Sequence, residues 1–269
     1  MNNAILEITN LTRRFGSFIA VNSISFSVGP GEVFGIVGPN GAGKTTTIKI
    51  LTTLLPPTSG TAMVGGFDVV HNASSVRRII GYVPQLLSAD GTLTGYENLL
   101  VFAKLYDIPR NERQKRISDS LHFMGLADVA DKLVRSYSGG MIRRLEIAQA
   151  VLHRPHILYL DEPTIGLDPV ARETVWKYVG ALAQDGTTVV MTTHYMEEAD
   201  GMCDKVVIMN RGQIAASGSP SELKASVGGN GTTLDQVFEF YAGSTIENGE
   251  TGERLRDVSR TRRNARRLG

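Results

Sequence analysis

The sequence holds a single cysteine, Cys203, and a single tryptophan, Trp176, in 269 residues. One thiol excludes an internal disulfide framework and a cysteine-based metal cluster within the chain. Cys203 reads as a small buried hydrophobe, and Trp176 as an apolar residue on a helix face. No apolar run approaches the ~18–20 residues that a membrane-spanning helix needs. The N-terminal MNNAILEITN lacks the basic start and apolar stretch of a signal peptide. We therefore expect a soluble, cytoplasmic chain, any membrane role of which must come through a partner. Excess charge is also missing: 28 Lys+Arg against 27 Asp+Glu give a formal net of +1. That total hides two unlike parts. The stretch 250–269 carries seven arginines (254, 256, 260, 262, 263, 266 and 267) against Glu250, Glu253 and Asp257, a net of +4, so residues 1–249 sum to −3. A slightly acidic body is not a basic nucleic-acid-binding domain, and no nucleic acid partner is expected. His71, His122, His153 and His156 show no metal-ligand spacing.

What is present alternates between strand and helix. The segments ILEI (5–8), SFIAV (17–21) and ISFSV (24–28) alternate apolar and polar side chains, as strands with one buried face do. VFGIV (33–37), HILYL (156–160) and TTVVMTT (187–193) are short continuous apolar runs, the mark of strands covered on both faces. TTTIKILTTLL reads as a helix with apolar positions 48, 50, 51, 54 and 55, ended by Pro56-Pro57. From about Leu93 to Ala130 the texture is helical, and SGG (138–140) opens a further helix. KVVIMNRGQIAASG (205–218) reads as a hairpin turning at Arg211-Gly212, and SPSEL as a helix start.

The pattern predicts an α/β fold with a mostly parallel core sheet, an N-terminal antiparallel β-subdomain and an inserted α-helical subdomain. The expected boundaries are a main α/β domain over 1–225 with helices inserted at about 86–150, an extension over 226–243, and a basic, flexible tail over 244–269.

Gly38-Pro39-Asn40-Gly41-Ala42-Gly43-Lys44-Thr45, with Thr46 behind it, matches G-x-x-x-x-G-K-[ST] between an apolar strand and an amphipathic helix. Glycines let backbone N–H groups turn inward around phosphate oxygens, and the helix N-terminus adds its positive end. Lys44 is expected to reach the β- and γ-phosphates of a bound nucleotide, and the Thr45 hydroxyl to ligate Mg²⁺. Ile157-Leu158-Tyr159-Leu160 delivers Asp161 and Glu162 to a strand's C-terminal edge, where open α/β sheets bind ligands. Two acids there also make a plain solvated turn; the upstream phosphate loop favours Asp161 on Mg²⁺ and Glu162 on the attacking water. Ser138-Gly139-Gly140, a plain helix cap if taken alone, offers a hydroxyl and two N–H groups as a second anion site. Gln85 closes one apolar strand and His194 another.

Together these motifs resemble the ATP-binding subunit of ABC transporters, over about residues 4–225. Their order is the family's: Walker A (38–45), Q-loop (Gln85), signature (137–141), Walker B (157–161) with Glu162, D-loop (165–168) and H-loop (His194). Phe15 stands where the family stacks an aromatic on adenine. The resemblance implies a homodimer, or a paired ATPase subunit, that sandwiches two ATP molecules, the Ser138, Gly139 and Gly140 of one copy closing on the γ-phosphate held by the other's Lys44. It implies Glu162 as general base, His194 on the γ-phosphate, Asp168 coupling the two sites, and Gln85 joining Mg²⁺ to the subdomain that grips a separate permease. GYVPQ, LTGYENLLVFAKLYDIP, THYMEEAD and TTLDQVFEFYAG are similar to the daunorubicin-resistance-type branch, which pairs with ABC-2-type permeases and exports drugs, lipids, polysaccharides or ions. Two positions depart from the family: Tyr137 stands for its usual Leu and Met141 for its usual Gln. The alternatives are an ABC importer ATPase, a soluble ABC-type ATPase acting on ribosomes or DNA, or an ATP binder without turnover. The intact Lys44, Asp161, Glu162 and His194 argue against the last. The basic tail reads as a solvated, flexible end, and the alternative is that its arginines touch anionic lipid beside the permease, at about 1 kcal/mol per basic residue near the surface.

Overall fold

A computed structural model of the chain describes residues 4–228 and 231–247. In chain order β1 (Leu6–Phe15) and β2 (Phe18–Val28) form a hairpin, and β3 (Val33–Val37) leads into α1 (Lys44–Leu51). Then come β4 (Ser59–Val64), β5 (Phe67–Asp68), α2 (Ala73–Ile79) and β6 (Ile80–Val83). The helices α3 (Gly95–Leu105), α4 (Arg110–Phe123) and α5 (Gly139–Val151) follow. The remaining elements are β7 (Ile157–Asp161), α6 (Pro169–Gln184), β8 (Thr188–Thr193), α7 (Met196–Met202), β9 (Lys205–Asn210), β10 (Gln213–Gly218), α8 (Pro220–Val227) and α9 (Leu234–Glu247).

The α/β architecture matches the expectation. One sheet is antiparallel, in the order β2-β1-β4-β5; the other has the order β10-β9-β3-β8-β7-β6 and is parallel from β9 to β6, with only β10 reversed. Its central strands β3, β7 and β8 are buried on both faces, as the continuous runs required. Val33, Val37, Leu158, Leu160, Val189 and Met191 face the core shared with α3, α5 and α6. Phe34, Ile36, Ile157, Tyr159, Val190 and Val207 face α1 and the antiparallel sheet. Because β6 pairs directly with β7, the whole stretch between Val83 and Ile157 is an excursion from the sheet, and α3, α4 and α5 fill it.

Three local expectations change. SFIAV and ISFSV are one strand, β2, and β1 runs on through Thr12-Arg13-Arg14. Asn10 and Ser23 take positive φ (48° and 51°), and the ladder shifts register there. Such irregularities break the two-residue alternation without ending the strand. Helix α1 stops at Leu51, before the prolines: the Thr52 hydroxyl donates back to the Ile48 carbonyl and Thr53 takes φ +63°. Helix α9 runs to Glu247, past the boundary expected at 243. The arginines of the expected basic tail lie outside the described residues. No helix among the described residues is long and apolar enough to cross a membrane.

Candidate functional site

The parallel register assembles the site. Val37 pairs with Thr193, and Asp161 with Thr192, so the C-terminal ends of β3, β8 and β7 lie level as neighbours. Gly38, His194 and Glu162 are the residues that follow each of these ends or lie just beyond them. The loop after β3 turns on glycines for steric reasons. Gly43 has φ +104°, and a Cβ there would meet the Ala20 carbonyl oxygen at 2.5 Å; one at Gly38 would overlap the Met209 carbonyl oxygen. No side chain caps α1 at Gly43, which leaves its N-terminus facing an open cleft.

That cleft, of about 360 Å³, is lined by Phe18, Ala20, Asn40, Gly41, Ala42, Gly43, Lys44, Thr45, Thr46, Gln85 and Glu162. The structure thus brings together the expected phosphate loop, Gln85 and the expected base. Phe15 does not line it. Phe18, its partner across the hairpin turn, does, while the Arg13 guanidinium covers the Phe15 ring at 4.6 Å. The alternation within RRFGSF gave no way to choose between the two aromatics.

Lys44 is buried, and its Nζ donates to the carbonyls of Gly38 (2.7 Å) and Pro39 (3.2 Å). The same Nζ lies 3.1 Å from Glu162 Oε1, and the other carboxylate oxygen of Glu162 lies 3.1 Å from His194 Nδ1. Glu162 takes φ +48°, held there by its N–H donating to the Thr192 hydroxyl (2.9 Å) and carbonyl (3.2 Å). Beside it, Asp161 Oδ1 accepts from the hydroxyls of Thr45 (3.0 Å) and Thr192 (2.7 Å). Asp161 Oδ2 is buried and has no hydrogen-bond partner. Burial pushes the Asp161 carboxyl above its ordinary range, and the neighbouring Glu162 adds to that against the two threonine hydroxyls. An unpartnered carboxylate oxygen beside a threonine hydroxyl, at the rim of a phosphate cradle, is the hard-oxygen donor set that suits Mg²⁺.

The other expected residues lie outside that cleft. Ser138 and Gly139 are exposed at the N-terminus of α5, where the Ser138 hydroxyl accepts from the Met141 N–H at 3.3 Å. Gly140 is packed so closely on α6 that a Cβ would sit 2.8 Å from Ala171 Cβ. The unusual Tyr137 is buried, its hydroxyl donating to the Val129 carbonyl at 2.6 Å, and Met141 Sδ accepts the Ser138 N–H at 3.5 Å. Both departures are thus absorbed by packing within the helical part. Asp168 caps α6, its Oδ1 accepting from the Ala171 N–H at 2.9 Å.

Sequence reasoning missed a node behind the site. Glu198, buried on α7, accepts from the Thr164 hydroxyl (2.6 Å) and the Thr193 hydroxyl (2.7 Å), with Arg172 Nε 3.5 Å away. Thr164 opens the loop to Asp168, and Thr193 immediately precedes His194, so one carboxylate braces both segments. The only sequence signal was a second acid next to Glu197.

Residues 21–165 match the protein family described as ABC transporter. The chain is 44% identical over 225 residues to the daunorubicin/doxorubicin resistance ATP-binding protein of Streptomyces peucetius, covering 84% of this chain and 68% of that one. It is 39% identical over 226 residues to the linearmycin resistance ATP-binding protein of Bacillus subtilis (strain 168), covering 84% and 73%. Among solved structures, the ATP-binding subunit of an ABC transporter superposes with a TM-score of 0.80 at 27% identity, covering 88% of this chain and 99% of that one.

Proposed function

The chain belongs to the ABC transporter family as an ATP-binding, ATP-hydrolysing subunit, and from that premise we propose that two copies close around two ATP molecules and drive a separate ABC-2-type permease for export. The observation that carries this reading is the run from Lys44 to Glu162 to His194, each step 3.1 Å, which ties the phosphate loop to the ends of two neighbouring strands. With ATP in the cleft, Lys44 Nζ moves from the Gly38 and Pro39 carbonyls and from Glu162 onto phosphate oxygens. That exchange frees one Glu162 oxygen to take a proton from the attacking water, while His194 orients the carboxylate through the other. A Mg²⁺ held by Thr45 and Asp161, with Gln85 near, would offset the charge developing on the phosphates.

Ser138, Gly139 and Gly140 do not line the cleft that holds Lys44, which supports their closing on the nucleotide of a second copy. Leu86 and Leu87, exposed beside Gln85, support a permease contact on the helical side. An export role is favoured by the likeness to the two resistance proteins, and it places the chain on the cytoplasmic side of the membrane, held there by the permease.

The test is Glu162→Gln in the transporter assembled with its permease. We expect steady-state ATP hydrolysis to fall at least roughly a hundredfold, as loss of a general base does, with ATP binding retained. Wild-type turnover in that variant would overturn the assignment. Copurification with ribosomes or DNA in place of a membrane protein would overturn the exporter reading.

A further inference from the structure

Arg143 and Glu146 are almost entirely buried, 1% and 2% exposed, one turn apart on α5. Neither lines the nucleotide cleft. Arg143 Nη1 lies 2.9 Å from Glu146 Oε2 and also donates to the Pro84 carbonyl at 2.7 Å, while Nη2 donates to the Gln85 carbonyl at 2.8 Å. The other oxygen of Glu146 accepts from the Ser88 N–H, from the Ser88 hydroxyl at 3.1 Å and from the Ala89 N–H at 3.3 Å. The pair therefore grips residues 84–85 and 88–89, on either side of the exposed Leu86 and Leu87. One turn further, Gln149 Nε2 donates to Asn98 Oδ1 at 3.2 Å, and that same oxygen accepts the Asp90 N–H at 3.0 Å. Positions 143, 146 and 149 form one polar, buried stripe along α5 that ties residues 84–85 and 88–89 to the helix directly and Asp90 to it through Asn98 of α3.

We propose that the Arg143–Glu146 pair is a positioning device that makes the Gln85 segment and the Ser138-Gly139-Gly140 helix start move as one body. Stability is a poor account of such a pair, because desolvating two charges consumes most of what their attraction returns. Geometry is a better one: the planar guanidinium fork fixes two successive carbonyls and a carboxylate at once. Helix α5 is continuous from its capped Ser138 to Val151, so what holds residues 143–146 also holds the signature residues. A displacement of Gln85 at the nucleotide, or of Leu86 and Leu87 at a docked partner, then reaches the Ser138 end without passing through the sheet. The mechanical claim stands on one chain alone; its effect on turnover rests on the function proposed above.

Spin labels at Leu86→Cys and Ser136→Cys, both exposed and the second lying just ahead of the α5 cap and outside the residues assigned to nucleotide, would read the mechanical claim. The native Cys203 is buried, and burial pushes its thiol up to about 12, which suppresses its labelling. We expect a single narrow distance that does not change on adding ATP and Mg²⁺, and a broadened one in Arg143→Gln. The double variant Arg143→Met/Glu146→Leu removes both charges at similar volume and is expected to melt near the parent temperature, yet show the same broadening. For both variants kcat should fall about tenfold to a hundredfold, the range that a 1 Å misplacement of positioned groups brings, with KM for ATP unchanged. A narrow distance in the double variant, or a parent distance that shifts with nucleotide, overturns the proposal. Broadened distances with parent kcat would uphold the device and instead overturn the roles given to Gln85 and Ser138.

Discussion

Glu162 pairs chemical importance with an unusual backbone, since φ +48° is a conformation that side-chain-bearing residues seldom adopt. It persists because Thr192 holds its N–H twice, from a strand 30 residues away in sequence. Lys44 was legible from the glycine-rich motif that it closes, and Asp161, Glu162 and His194 because each is polar and ends or follows an apolar run. Thr192, Glu198 and Arg143 were not, because their roles exist only once distant segments meet. On the strand that delivers Glu162 sits the opposite case: Tyr159 is fully buried, with its hydroxyl lacking any partner. A desolvated hydroxyl without a hydrogen bond costs about 1–3 kcal/mol. Tyr159→Phe keeps the ring and removes that cost, so we expect the melting temperature to hold or rise, with ATPase activity unchanged. A clear fall in melting temperature would mean that the hydroxyl is satisfied in solution.

Elements meet at one junction whose stability depends on pH. His153, just beyond α5, stacks on Tyr106, just beyond α3, with ring centroids 3.7 Å apart, and its Nε2 lies 3.0 Å from the Ile80 carbonyl at the edge of β6. Burial lowers the His153 pKa to about 4, against the partial opposition of that carbonyl. The folded chain thus holds the ring neutral while the unfolded chain takes up a proton near the ordinary value of about 6.5. Its contribution to stability is complete above about 6.5 and is lost as the pH falls towards 4. In His153→Phe, which keeps the stack and cannot titrate, melting temperature should fall less steeply than in the parent across that window. Parallel curves would sink the assignment. At this scale the sequence was legible where apolar runs were continuous, as in β3, β7 and β8. It was not where the chain bends without breaking, as at Asn10 and Ser23, or where a helix ends on a side chain instead of a proline, as at Thr52.

Across the whole molecule, the site withholds stability that ligand returns. Asp161 is kept buried with one oxygen unpartnered, and Lys44 is turned back onto its own loop. The unpartnered Asp161 oxygen is poor for the chain without ligand and suited to Mg²⁺, while Lys44, satisfied on its loop and on Glu162, is placed to exchange those contacts for phosphate oxygens. Binding at about a hundred times Kd adds about 2.7 kcal/mol, which in a chain of this size raises the melting temperature by roughly 5–10 °C. Lys44→Ala should abolish that rise. Asp161→Asn separates the two ligands: replacing the buried carboxylate with a neutral amide relieves desolvation, so the ligand-free melting temperature should hold or increase. The same variant loses the charged donor for Mg²⁺, so ATP alone should still stabilise it while added Mg²⁺ contributes nothing further. Thermal melts of the parent and the two variants, each with no ligand, with ATP and EDTA, and with ATP and Mg²⁺, decide the matter. If Asp161→Asn gains as much from Mg²⁺ as the parent does, the metal is held elsewhere and the unpartnered oxygen is only a structural defect of the fold.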